Sequence, residues 1–267
     1  MNEIRFADAR DLEAIRRIWS AVFTADTPAE RDAFLDAVHV SEECVVVCEN
    51  DVPISMAFFL PAVLHIQNRA YTARYLYAAA TLPAYRGKGI FSDLLNAALT
   101  ALKQRGVDAC FLNPAEPSLV GFYRRFGFEP TIFSRTISGT STTKALPIQP
   151  LSAEDYIALR QTLLPPDHVA WDDRLLRYAV SYAKPIRIGE RACALCAKNN
   201  GTLHVLELLG IPSDEQTAVC GALAHDQGCN VFRARVFSEM GDCFGMLLSL
   251  GERIPLKPAP YMGLAFD

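Results

Sequence analysis

The apolar positions of this chain change period several times, and the changes outline two successive sets of elements. Leu12, Ile15, Ile18, Trp19 and Val22 follow the acidic Asp11 at helical spacing. Residues 45–48 and 54–60 are strand-like runs on either side of Glu49-Asn50-Asp51, a hairpin signal. Residues 73–81 form a further strand rich in tyrosine and alanine. Phe91, Leu94, Leu95, Ala98 and Leu102 then mark a helix over 91–105, with Gly106 as its stop. A strand at 107–112 follows, giving the order β-α-α-β-β-β-α-β-α-β for the first half. In the second half, residues 191–198 and 202–209 flank Asn199-Asn200-Gly201, a strong hairpin turn. Ser213 with Gln216 predicts a capping box for a helix running to about Gln227, stopped by Gly228. A strand at 231–237, a helix through 246–250 and a last strand at 261–266 complete the prediction. Pro147, Pro150 and the polar run 138–143 separate the halves. The expected division is 1–137, a linker over 138–150, and 151–267.

The chemistry concentrates at the turn between the strand 73–81 and the helix 91–105. It reads Tyr85-Arg86-Gly87-Lys88-Gly89-Ile90. A helix start presents N–H groups with no helical partner at the positive end of the helix dipole, and so attracts anions. Gly87 and Gly89 let a phosphate approach the backbone, and Arg86 and Lys88 add positive charge. A P-loop is excluded, because its first glycine and final hydroxyl are missing. A dinucleotide fingerprint is excluded too, because Gly87-x-Gly89 is followed by Ser92 where the third glycine belongs.

The turn resembles motif A of the GCN5-related N-acetyltransferases (GNAT), Arg/Gln-x-x-Gly-x-Gly/Ala. Arg86, Gly89 and the preceding Pro83-x-Tyr85 match it, while Phe91 stands where the family usually has a small residue. Gly121-Phe122-Tyr123-Arg124-Arg125-Phe126-Gly127-Phe128 resembles motif B, and residues 4–23 resemble the family's opening strand and helix. The resemblance covers roughly residues 1–135. It implies an α/β (α+β) fold, a GNAT-type mixed twisted sheet flanked by helices, with acetyl-CoA bound and catalysis carried out in 1–137. The second half repeats part of the same order. Its equivalent turn, Leu209-Gly210-Ile211-Pro212-Ser213-Asp214-Glu215, has no arginine and two carboxylates. It is expected to be a degenerate GNAT-like or accessory α/β domain that binds no cofactor. The two-domain arrangement and Pro114-Ala115-Glu116-Pro117 are similar to the enhanced-intracellular-survival type branch.

By this resemblance the activity is acetyl transfer from acetyl-CoA to a primary amine of a small molecule or protein. The alternative is a non-catalytic acyl-CoA-binding sensor. The cofactor-binding residues carried over are Ala79, Ala80 and Thr81 on the strand, Arg86, Gly87, Lys88, Gly89, Ile90, Phe91 and Ser92 at the turn, and Asn113 and Glu116 after the next strand. Small side chains at Ala78, Ala79 and Ala80 suit a strand that a ligand approaches, and they equally suit close packing on a helix. Tyr123 matches the motif B tyrosine that protonates the departing thiolate; a phenol with pKa ~10 is protonated at neutral pH. Asp26, Glu30, His65 and the C-terminal carboxylate of Asp267 all remain open as the base. Tyr71, Tyr75 and Tyr77 are open as acceptor-lining or packing residues.

Composition narrows the partners. The 267 residues are 51% apolar, enough for real cores, and the net charge of −4 gives no general attraction to nucleic acid or an anionic membrane. No apolar window approaches the ~20 residues of a membrane span, and the first residues do not read as a signal peptide, so a cytoplasmic protein is expected. The eight cysteines fall mostly in apolar runs and read as small buried hydrophobes. Cys193-Ala194-Leu195-Cys196 has no companion pair, the five histidines are scattered, and no metal site is expected. Homo-oligomerisation stays open.

Overall fold

The computed structural model describes residues 2–266. β1 (Glu3–Phe6) leads into α1 (Leu12–Val22), α2 (Pro28–Ala37) and the short α3 (Val40–Glu43). A meander of β2 (Cys44–Glu49), β3 (Val52–Ile66) and β4 (Arg69–Thr81) follows. Then come α4 (Ile90–Gln104), β5 (Ala109–Leu112), α5 (Leu119–Arg124) and β6 (Glu129–Thr140). The rest of the chain runs β7 (Ile148–Pro150), α6 (Ala153–Leu163), β8 (His168–Trp171), α7 (Asp173–Tyr182), β9 (Lys184–Ile188), β10 (Ala192–Asn199), β11 (Thr202–Leu209), α8 (Gln216–Asp226), β12 (Val231–Ser238) and β13 (Asp242–Ser249). The chain forms two compact units. The first contains the residues up to Pro130 with Ala170–Arg174 and Gly245–Pro255; the second contains Thr131–Val169, Leu175–Phe244 and the residues from Leu256 on.

In the first unit the strands lie in the order β1-β2-β3-β4-β5-β13. All pairs are antiparallel except β4 with β5, which α4 joins as a parallel crossover. The turns of the meander are two residues long, Asn50-Asp51 and Gln67-Asn68, all four at positive φ, as type I′ hairpins require. Residues 44–48 of β2 are buried throughout, as a strand with neighbours on both edges and cover on both faces should be. α1 and α4 bury the stripes their spacing implies, Ile15, Ile18 and Trp19 on one, Leu94, Leu95, Ala98, Leu99 and Leu102 on the other. An aromatic cluster links α1 and α2 to the sheet. Phe34 lies 5.1 Å from Trp19, Phe58 and Tyr77, and Tyr75 lies 5.1 Å from Phe111 and 5.2 Å from Trp171.

The second unit has the strand order β6-β12-β11-β10-β9-β7. Its centre repeats the design of the first: the β10–β11 hairpin, the helix α8, and β12 returned parallel to β11. Leu223, Cys220 and Val219 of α8 pack on Val205, Leu203, Phe232 and Ala234. Beside that core sits a buried polar group. The Glu207 carboxylate accepts from Arg160 Nε at 2.9 Å and from its terminal nitrogen at 3.0 Å, and from the hydroxyls of Tyr156 at 2.5 Å and Tyr261 at 3.0 Å. Arg160 and Glu207 are both essentially sealed from solvent. A buried ion pair is tolerable only when its lone pairs and donors are satisfied, and the two tyrosines complete that requirement. Burial and the carboxylate push both phenols well above their ordinary pKa.

Four expected elements differ. The run 246–250 is strand β13, because a short apolar run takes whichever period its partner offers, and Met246–Ser249 here pairs with β5. The stretch 261–266 makes only a single bridge, Tyr261 to His168, since Gly263 and Phe266 at positive φ break the extended path. Ser213 does not cap α8: the helix starts at Gln216 with Glu215 as its N-cap. Residues 138–140, expected in the linker, extend β6 against β12. Gly139 there is a fit to a neighbour, for a Cβ would come 2.9 Å from the Phe232 ring.

Gly263 offers a test of the buried pair. A Cβ built on it would lie 2.0 Å from Glu207 Oε1, and its φ is +71°. Gly263→Ala must therefore displace the carboxylate from its partners. The expected loss is about 2–4 kcal/mol of unfolding free energy, measured by urea titration; a loss below about 0.5 kcal/mol would contradict the described packing.

Candidate active site

The candidate site in the first unit lies where two strands are mismatched in length. β4 pairs with β5 over Ala73–Leu76, opposite Ala109–Leu112, and β5 then ends. β4 continues through Tyr77–Thr81, so its edge on that side runs on beyond the end of β5. On its other edge the ladder to β3 slips: Phe58 faces Tyr77 and Met56 faces Ala80, leaving Ala78 and Ala79 opposite the single residue Ala57. This is a β-bulge in β4, and Ala78 adopts φ +46°. The bulge bends the strand and redirects its N–H and C=O groups. Ser55, fully buried on β3, fixes the strand beyond it by donating to the Ala80 carbonyl at 2.9 Å and pairing with the Thr81 hydroxyl at 2.8 Å.

The glycine turn follows at once. Gly89, at φ +80°, is the N-cap of α4, and the first helical bond runs from Asp93 N to Gly89 O at 3.0 Å. The N–H groups of Ile90, Phe91 and Ser92 thus precede any intrahelical acceptor. Gly87 is also left-handed, at φ +74°, and a Cβ at either glycine would meet nothing within 4 Å. The glycines are required by backbone conformation, and the space above them is open. The turn is braced from both sides. Arg86 Nε donates to the Thr81 carbonyl at 3.0 Å, the Tyr85 hydroxyl donates to Glu49 at 2.6 Å, and the Lys88 ammonium lies 5.2 Å from the Tyr85 ring. Two cations, the N–H groups of a helix start and open space above the glycines suit a pyrophosphate.

Tyr123 is buried on α5 between Phe122 and Phe128, with ring centroids at 5.2 and 5.9 Å. Burial, with a smaller contribution from Cys110, pushes its hydroxyl up to about 12. Asn113 is half-buried directly after β5. Glu116 is exposed and accepts from Ser118 at 3.1 Å at the start of α5, a loop-fixing role visible in its own geometry. The four candidate bases fare differently. Asp26 accepts from the Trp19 indole at 2.8 Å. Glu30 is the acid of a capping box, and its bonds from Thr27 hold it below the usual carboxylate range, which makes it a poorer base. His65 pairs with Ala70 beside the far turn of the hairpin, roughly 25 Å along β3 from the bulge. Asp267 lies outside the described residues. Tyr71 and Tyr75 are buried packing residues, whereas Tyr77 is half-exposed beside the bulge. The bulge itself carries no motif; the three consecutive alanines are its one visible trace in the sequence.

Residues 3–131 match the family model described as an acetyltransferase (GNAT) domain. This segment is a GNAT domain. The match supports acyl-CoA-dependent N-acetyl transfer as the activity of this segment. Its fold is similar to that of a GCN5-related N-acetyltransferase from Kribbella flavida, with 15% identity and a TM-score of 0.73 over 92% of this chain and 70% of that one. It is also similar to a probable N-acyltransferase from Enterococcus faecalis V583, with 16% identity and a TM-score of 0.76 over 94% and 73%. Eis1 from Mycobacterium abscessus gives 16% identity and a TM-score of 0.68 over 93% and 74%. These likenesses span both units, so the second unit is part of the shared architecture. No curated protein matches the sequence significantly.

The GNAT domain's bulge can be tested on its own. Ala tolerates a left-handed φ at a cost of roughly 1–2 kcal/mol, and a β-branched residue tolerates it less well. Ala78→Val should lower stability by about 1–2 kcal/mol further, while Ala78→Gly should leave it equal or higher. Equal stability of the valine and glycine variants in chemical denaturation would show that Ala78 is not held at positive φ.

Proposed function

We propose that the chain transfers an acetyl group from acetyl-CoA to a primary amine, with the cofactor held by residues 79–81, 86–92, 113 and 116 of the first unit. The observation that carries this is the continuity of the β4 segment that runs past the end of β5 with the glycine turn. One strand supplies N–H and C=O groups beside the bulge, and the next residues supply an anion site with open space above it. An amide-bearing arm ending in a pyrophosphate fits both parts at once. In the second unit the corresponding features are altered. β11 also bulges, at Leu206, but the next residue is Glu207, locked to Arg160 and packed against Gly263, and the helix that follows starts with the acidic Glu215 at its N-cap position. Buried charge and the close-lying backbone of Gly263 leave no counterpart of the open β4 edge, so one cofactor per chain is expected, with 1–137 as the catalytic segment and 151–267 as accessory.

In the reaction the neutral amine attacks the thioester carbonyl, its nitrogen–carbon bond forms, the nitrogen gives up a proton to solvent water, and the carbon–sulfur bond breaks to release a thiolate. Tyr123 serves the departing sulfur. Its hydroxyl, at about 12, keeps its proton at neutral pH. A thiol has a pKa of ~8.5, so complete transfer to the thiolate runs uphill. Tyr123 therefore assists by donating a hydrogen bond to the sulfur as charge develops, and the solvent completes protonation.

Thiol release from acetyl-CoA across a panel of polyamines, aminoglycosides and peptides tests the reading. Amine-dependent release is expected with at least one class. Tyr123→Phe should lower kcat roughly 10- to 100-fold, the worth of a hydrogen bond to a charged group, with little change in KM for acetyl-CoA. Gly89→Glu should abolish cofactor binding by calorimetry while remaining folded. Binding of acetyl-CoA without turnover of any amine would favour a sensor, and unchanged cofactor affinity in Gly89→Glu would overturn the site.

A further inference from the structure

The side chain of Phe91 departs from the family pattern, and the anion site uses only its N–H. Phe91, the second residue of α4, is half-buried and stacks on Phe122 of α5, with centroids 5.8 Å apart and planes 23° apart. Phe126, in the turn just after that short helix, lies 5.1 Å from Phe122. The exposed Arg125 holds its guanidinium 4.9 Å from the Phe122 ring. The result is a partly exposed aromatic ledge with a cation at its edge, reached from the same residue whose N–H belongs to the anion site. An interior role alone would bury these rings; all three stay half-exposed.

We infer that this ledge stacks the purine of coenzyme A and that Arg125 pairs with the ribose 3′-phosphate. The inference rests on the pyrophosphate lying at the glycine turn. From there the pantetheine leaves toward β4, and the adenosine, joined directly to the pyrophosphate, must lie close to the first turn of α4, where Phe91 is. Every purine presents a π-face, and stacking on an aromatic side chain or a guanidinium plane strengthens binding without a hydrogen-bond code. Arginine is the side chain suited to a phosphate dianion. The small residue usual in the family at this position would offer no such surface, so the ledge makes the nucleotide part of the cofactor a determinant of affinity in this chain.

Calorimetry with coenzyme A and with 3′-dephospho-coenzyme A, on folded protein checked by circular dichroism, tests this. Wild-type protein should bind the dephospho form roughly tenfold more weakly. Arg125→Gln should weaken coenzyme A by about that factor and erase the difference between the two ligands. Phe91→Ala should weaken both by roughly tenfold, while Phe91→Trp, which keeps the stacking face, should not. Equal binding of the two ligands by wild-type protein, or Phe91→Trp as weak as Phe91→Ala, would overturn the inference while leaving the cofactor site standing. Failure of wild-type protein to bind coenzyme A at all would remove the cofactor site and the ledge together, and the first titration shows it.

Discussion

The first unit depends on where one ladder of backbone hydrogen bonds stops. β4 and β5 are parallel partners for four residues, and β4 then runs five residues further alone on that side. Backbone N–H and C=O groups left beyond a ladder's end need partners. The bulge at Ala78–Ala79 bends this segment, and Ser55 on the neighbouring strand holds it in place. The glycine turn is then delivered at the end of that segment, braced by Thr81 and Glu49. Strand edge, turn and helix start are one continuous stretch of chain, so the geometry of each fixes the next.

The second unit shows the same device put to another use. The β10–β11 hairpin, α8 and parallel β12 repeat β3, β4, α4 and β5, bulge included. Where the first unit has small alanines, β11 has Glu207, and the chain near its end packs Tyr261 and Gly263 against that carboxylate. What is an open edge in one unit is a filled, hydrogen-bonded interior in the other. The pair Arg160–Glu207 is costly to bury, and it is retained with every lone pair engaged, which fixes the position of the segment from Tyr261 onward within this unit.

Much of this could be seen in the sequence where a local rule has a single solution. Asn50-Asp51 and Asn200-Gly201 form the tight turns that their residues favour, and Arg86-Gly87-Lys88-Gly89 lies at a helix start, as its glycines required. The cysteines of Cys193-Ala194-Leu195-Cys196 are buried in a strand, with their thiols pushed up by burial. The misreadings fall where a distant partner decides. Met246–Ser249 is apolar enough for either period, and only its pairing with β5 selects a strand. The polar residues 138–140 look like linker until β12 is beside them. The bulge and the Glu207 network were invisible because register and burial of charge are set by residues dozens of positions apart. Phe91 departs from the family pattern in the sequence itself, and the ring of Phe122 stacked beside it gives that departure a meaning.

The central claim is that one cofactor site per chain is built on the β4 edge and the turn after it. Hydrogen–deuterium exchange with and without coenzyme A tests this most directly, because bound backbone amides exchange more slowly whatever the acceptor is. Protection should appear in peptides covering residues 77–92 and 113–123 and be absent from 202–220. Protection centred on 202–220, or none at 77–92 under saturating ligand, would contradict the account.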